Sequence, residues 1–68
     1  MTVKMAKERR LRIYKRYVEL KKQWGREFSI PRAAERLGIT KVDLAHQVHL
    51  IKKYGEERDA LSLEKKAG

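Results

Sequence analysis

The sequence predicts an all-α fold: a three-helix domain with a helix-turn-helix over residues 29–55, no β-wing, and a tail that forms a short fourth helix or stays loose. Three observations carry this. Apolar residues recur at helical spacing in three successive segments, and no stretch alternates as a strand does. Gly38 and Gly55 stand where the second and third of these patterns stop, as helix-ending glycines do. Ser29 and Thr40 stand where those patterns begin, and both are N-cap residues by chemistry.

Taken in order, residues 1–6 carry no pattern and read as a flexible N-terminus. In 7–24, Ile13, Tyr17, Leu20 and Trp24 fall at i, i+4, i+7 and i+11, with Leu11, Tyr14 and Val18 widening the stripe. That is an amphipathic helix. Lys21 and Lys22 fall in its last turn, where the helix dipole favours positive charge, and Gly25 follows as its stop. Residues 26–28 read as a loop in which Phe28 acts as a hydrophobic staple. The second helix starts with Ser29 as its cap, or with Ile30 as the cap and Pro31 at the first helical position. Ile30, Ala33, Ala34 and Leu37 give its apolar face. Leu37-Gly38-Ile39-Thr40 is the tight turn, and the small side chains of Ala33 and Ala34 suit a close crossing of two helices. Thr40 followed three residues later by Asp43 resembles a capping box with Asp in place of Glu. Leu44, Val48 and Ile51 form the inward face of the third helix, which ends at Gly55 behind Lys52 and Lys53. In the tail, 56–68, Leu61 and Leu63 are the sizeable apolar residues. The organisation is therefore one domain, 7–55, with a short extension at each end.

A chain of 68 residues has room for one small core, which contributes only a few kcal/mol net. Eighteen Lys and Arg against nine Asp and Glu give a net charge of +9. The excess is uneven. Residues 1–26 carry ten bases and two acids, 27–55 five and three, and 56–68 three and four. Charge thus concentrates in the first helix, beside the motif, and points to a polyanionic partner. The absence of cysteine excludes disulfides and thiolate catalysis and is consistent with a reducing compartment. The apolar runs fall well short of the ~20 residues that span a bilayer, and no apolar segment follows Met1 as in a secretory signal. The expectation is a cytoplasmic, nucleoid-associated protein. No nucleophile–base pair or metal cluster stands out, so no enzymatic activity and no cofactor are expected.

A duplex major groove admits one α-helix, and a helix-turn-helix holds such a helix rigidly with one face free. With Leu44 at zero and about 100° per residue, Val42, His46, His49 and Lys53 fall opposite the core face, flanked by Ala45 and Leu50. His46 and His49 suit guanine acceptors or phosphates, and Val42 and Ala45 suit thymine methyls. Thr40 and Lys41 stand at the helix start, placed for a phosphate or a first base. The base-reading set is therefore Thr40, Lys41, Val42, Ala45, His46, His49 and Lys53. Ser29 and Arg32 mark the second helix's N-terminus, a phosphate-binding position. Arg9, Arg10, Arg12, Lys15 and Arg16 supply phosphate-binding charge from the first helix.

Gly25-Arg-Glu-Phe-Ser-Ile and Ala34-Glu-Arg-Leu-Gly-Ile-Thr resemble the loop, helix and turn of small bacterial and phage helix-turn-helix regulators. The LexA repressor N-terminal domain, excisionase and MerR-type domains and ParB-type segments are similar. The resemblance covers about 27 of the 68 residues, or about 42 with 13–24 counted as the first helix. It implies sequence-specific DNA binding in transcription regulation. LexA and MerR-type domains add a β-wing after the third helix; here Glu56-Glu57-Arg58-Asp59 follows, acidic and not strand-like. Gln47 occupies a position where many such motifs place an aliphatic residue, a role that Val48 takes here.

Other readings of the same residues are open at this level. His46 and His49 form HxxH, but no Cys or carboxylate completes a metal shell. Tyr14, Tyr17 and Trp24 are core at helical spacing or stacking platforms for bases. Leu50 is a dimer contact or an exposed leucine. Since one such motif covers a half-site, a homodimer on double-stranded DNA is expected, with no membrane or small-molecule partner. The rival functions are a protein-interaction module, a basic helical adaptor for RNA polymerase or another assembly, and sequence-blind nucleic-acid binding.

Overall fold

The computed structural model describes residues 3–62 and is all-helical, with α1 (Val3–Trp24), a 3-10 turn (Gly25–Glu27), α2 (Ile30–Leu37), α3 (Lys41–Tyr54) and α4 (Glu57–Leu61). No strand occurs among the described residues. Expectations for residues 1–2 and for 63–68, Leu63 included, lie outside them.

Helix α1 begins at Val3, within the segment expected to be a flexible N-terminus. Lys4, Met5, Ala6 and Lys7 are good helix formers, so intrinsic propensity extends the helix past the point where its apolar stripe begins. The stripe itself differs from the expected one. Leu11, Tyr14, Tyr17 and Leu20 are buried, while Ile13, Val18 and Trp24 only pack against them in part. Steps of three residues lag a full turn by about 60°, so this line winds around the helix. Three helices, α2, α3 and α4, all pack on α1.

Of the loop expected at 26–28, Arg26 and Glu27 belong to the 3-10 turn Gly25–Glu27 and Phe28 is extended after it. Phe28, expected as a staple, packs back on α1: its ring meets Tyr17 edge-on at 5.3 Å and lies 6.2 Å from Trp24. Tyr14 and Tyr17 follow at 5.7 Å, so one aromatic row ties the α1–α2 connection to the core.

Ser29 is the cap of α2. Its backbone is extended and its Oγ accepts from the Arg32 N–H at 3.4 Å, which leaves Pro31 in the first turn. At the other end Gly38 is left-handed, φ +74. The Gly38 N–H reaches the Glu35 carbonyl at 3.2 Å and the Ile39 N–H reaches the Ala34 carbonyl at 3.0 Å. These are the two hydrogen bonds of a Schellman motif, in which the residue after the glycine folds back over the helix end. Ile39 is apolar and half-buried there. Thr40 then caps α3, its Oγ1 accepting from the Asp43 N–H at 3.0 Å. The three-residue turn sets α2 against α3 with Ala33, Ala34 and Leu44 all but sealed from solvent.

A second Schellman motif closes α3. Gly55 is left-handed, and the Glu56 N–H reaches the Ile51 carbonyl at 2.9 Å. Here the inward-folding residue is charged. Glu56 is the one buried polar residue among those described, and it leads directly into α4. The anchor of α4 is Ala60, fully buried, whereas Leu61, one of the two sizeable apolar residues of the tail, is half exposed.

Candidate nucleic-acid interface

Helix α3 has two faces. Leu44, Val48 and Ile51 are buried. On the opposite side Val42, Ala45, His46, His49 and Lys53 are all exposed, Val42 at 72%. They recur every three or four residues and so form one continuous strip. Thr40 and Lys41 are exposed at its head. Five of the seven residues read as base-contacting are therefore brought together on one side of α3, and Thr40 and Lys41 stand apart from them at its N-terminus. Leu50, expected on the flank of this face, is half-buried instead. It shares an edge of α3 with Asp43, Gln47 and Tyr54, and α1 lies across that edge, with Arg9 on Asp43 and Arg10 over the Tyr54 ring at 5.5 Å. Lys53 flanks the same ring at 5.9 Å.

The expected phosphate-binding residues divide into groups. Arg12 and Arg16 are exposed, and Arg12 lines an open groove with Ile13, Leu37 and Ile39, which sets it beside the α2–α3 turn. Arg32 is exposed at the N-terminus of α2 and shares a shallow groove with Trp24, Glu35 and Arg36, while the Ser29 hydroxyl serves the helix cap. Lys15 lies on the α4 side, lining a groove with Val18 and Leu61. Arg9 and Arg10 are engaged within the protein.

These two arginines hold carboxylates that the sequence does not single out as their partners. The Arg10 guanidinium donates to both oxygens of Glu56, at 2.8 and 3.1 Å, with side chains only 14% and 12% exposed. Lys7 adds a third charge at 3.9 Å. Arg9 donates to Asp43 Oδ2 at 2.7 Å in a more open setting, 40% and 30% exposed. Gln47 Nε2 donates to Asp43 Oδ1 at 3.0 Å. The Asp43 carboxylate, expected to complete a capping box, is turned instead to Arg9 and Gln47. The hydrogen bond from Arg9, then that from Gln47, holds its carboxyl below the usual carboxylate range. On the α4 side, Glu57 Oε1 is buried without a hydrogen-bond partner. Burial, and then the negative charge of Glu57, pushes the Tyr14 hydroxyl above its ordinary value.

Among the described residues no group of three His, Cys, Asp or Glu side chains could hold a metal ion, and His46 and His49 stand as a pair on the exposed strip. Tyr14 and Tyr17 are buried and Trp24 is half-buried, so the aromatic row belongs to the core. No helix among the described residues is long and apolar enough to cross a membrane. Comparison with known proteins finds no matching family model, no matching curated protein and no matching solved structure.

Proposed function

We propose that this chain is a sequence-specific double-stranded-DNA-binding regulator in which α2, the Gly38–Thr40 turn and α3 act as a helix-turn-helix. The observation that carries the reading is the exposed strip Val42, Ala45, His46, His49 and Lys53 on a helix whose opposite face is locked to α2 and α1. A helix of 14 residues is about 21 Å long, enough to lie in a major groove with its first turns against the base edges. Thr40, Lys41 and Val42 meet the bases first, and His46 and His49 follow one and two turns later.

Affinity comes from phosphate contacts, and specificity from the strip. Arg12 and Arg16 on α1, Arg32 on α2 and Lys41 on α3 are the exposed cations proposed to meet phosphate. Arg9 and Arg10 are paired internally and add less than the bare sequence suggests. The domain is 32 Å in its longest extent, so one copy covers a half-site, and two copies are proposed to act as a homodimer on a palindrome with half-sites about 34 Å apart. No catalytic step and no cofactor enter this reading.

Selection of bound sequences from random duplex DNA tests the reading. An enriched palindrome, with binding that weakens steeply as salt rises, is the expected result. Equal binding of selected and random duplexes at every salt concentration makes the chain a sequence-blind binder. Failure to bind any duplex assigns the basic α1 surface to an acidic protein partner.

A further inference from the structure

We propose that Asp43 is a specificity-determining residue of the DNA-reading surface, acting by holding the Arg9 guanidinium in an ion pair and so keeping that charge from the phosphates of arbitrary sequence. The inference rests on the DNA-binding reading of α3.

Two neighbouring arginines differ in how they are held. Arg10 and Glu56 are bidentate and nearly sealed from solvent, and turning Arg10 to an outside partner would leave the buried carboxylate with only Lys7 at 3.9 Å. Arg9 and Asp43 are joined at 2.7 Å in a part-buried but more exposed setting. Both remain reachable by solvent, and a phosphate oxygen competes for the same guanidinium edge as a carboxylate does. The location gives the pair its consequence. Asp43 lies in the first turn of α3, one residue after Val42 and one turn before His46, and Gln47 fixes its second oxygen from the following turn. Arg9 comes from α1, in the groove that also holds Arg12 beside the Gly38–Thr40 turn. A carboxylate held there cancels one cation and repels phosphate at the head of the reading helix. Sequence-blind attraction is thereby trimmed, while the contacts of His46, His49 and Val42 with base edges are untouched. Selectivity is the difference between the two affinities, and an acidic group that penalises the wrong partner raises it.

The test measures the salt dependence of binding to a selected and to a random duplex for the wild type, D43N, R9A and the double variant R9A/D43N. The amide introduced by D43N keeps an oxygen for Gln47 and leaves the Thr40 cap alone, since that cap uses the backbone N–H. D43N is expected to bind random duplex several-fold more tightly and to steepen its log K against log salt slope by about 0.9, the increment of one further phosphate neutralised. Its ratio of selected to random affinity falls. R9A is expected to weaken random binding by leaving Asp43 uncompensated, and R9A/D43N returns to the wild-type slope. A loss of folding alone moves apparent affinity for both duplexes together and neutralises no further phosphate, so the slope separates the two causes. The inference is overturned if folded D43N keeps the wild-type slope and ratio. It is also overturned if R9A/D43N has a slope lower than wild type by about 0.9, because Arg9 then already contacts phosphate. Should D43N fail to fold, the double variant decides alone. A wild type that binds no duplex overturns both this inference and the reading on which it rests.

Discussion

Arg10 and Glu56 face each other through two hydrogen bonds, at 2.8 and 3.1 Å, across 46 positions of sequence, in a part of the molecule almost closed to water. The pair joins α1 to the α3–α4 junction. Removing Glu56 leaves Arg10 buried without its carboxylate, and removing Arg10 leaves Glu56 with only the longer Lys7 contact at 3.9 Å. Glu56→Ala is therefore expected to cost about 3 kcal/mol or more, a large share of what a domain of this size has. Replacing both residues with methionine is expected to cost much less than either single change, because no orphan charge remains. Urea denaturation of Glu56→Ala, Arg10→Met and the Arg10→Met/Glu56→Met double variant measures this. A double variant as unstable as the singles would count against the pair as the cause.

Gly38 supplies the second stability test. Its φ of +74 is a conformation that a residue with a Cβ adopts at a cost, and a Cβ built there meets nothing within 4 Å. Gly38→Ala should therefore lose about 1–2 kcal/mol from backbone strain alone, without a clash. Ala34→Leu is the opposite case. Its backbone is helical but its side chain is only 1% exposed between α2 and α3, so overpacking should cost about 1–3 kcal/mol and disturb the crossing. Thermal melts give both losses. Only Ala34→Leu should also change the near-ultraviolet signal of the aromatic row.

Acid and alkali act on different residues. Asp43 titrates below its ordinary range in the folded protein, through Arg9 first and Gln47 second. Its contribution to stability is present above the unfolded carboxyl value, near pH ~3.9, and is lost as pH falls through the lower folded value. Asp43→Asn should remove that component, so its urea midpoint should fall less than that of the wild type between neutral pH and strong acid. Tyr14 is shifted upward by burial and by Glu57. Its contribution is complete below about pH 10 and is lost as pH rises through the folded value. Tyr14→Phe should flatten the alkaline side of the profile and leave the acid side unchanged.

The backbone of this fold is largely legible in the chain because its punctuation is local. Ser29, Gly38, Thr40 and Gly55 each act on residues within four or five positions, and all four stand at the helix ends they predict. The two faces of α3 are legible for the same reason, since angle around a helix follows from spacing. What escapes is the pairing of charges over distance. Periodicity says that Arg9 and Arg10 are on α1; it does not say that α1 crosses the Asp43–Tyr54 edge of α3, which is what engages both. The same crossing is why Leu50, read as exposed on the flank of the outward face, is half-buried. One local signal does exist for Glu56. It follows the glycine of a Schellman motif, where an apolar residue such as Ile39 folds inward in the first turn. A carboxylate in that position needs a buried cation, and α1 is the strongly basic element available.

The proposed division of the interface can be tested with one pair of substitutions. Arg12 is exposed beside the α2–α3 turn, and His49 is exposed on the outward strip of α3. If Arg12 meets phosphate, Arg12→Ala should weaken selected and random duplexes by the same factor and lower both salt slopes by about 0.9. If His49 meets a base edge, His49→Ala should weaken the selected duplex by about 1–3 kcal/mol, leave random duplex nearly unchanged, and relax preference at one position of the site. Neither residue is buried, so both variants should melt near the wild-type temperature, and the binding changes can be read directly. The informative reversal is His49→Ala reducing both duplexes equally. That would make His49 a phosphate contact and move base reading toward Thr40, Lys41 and Val42 at the head of α3.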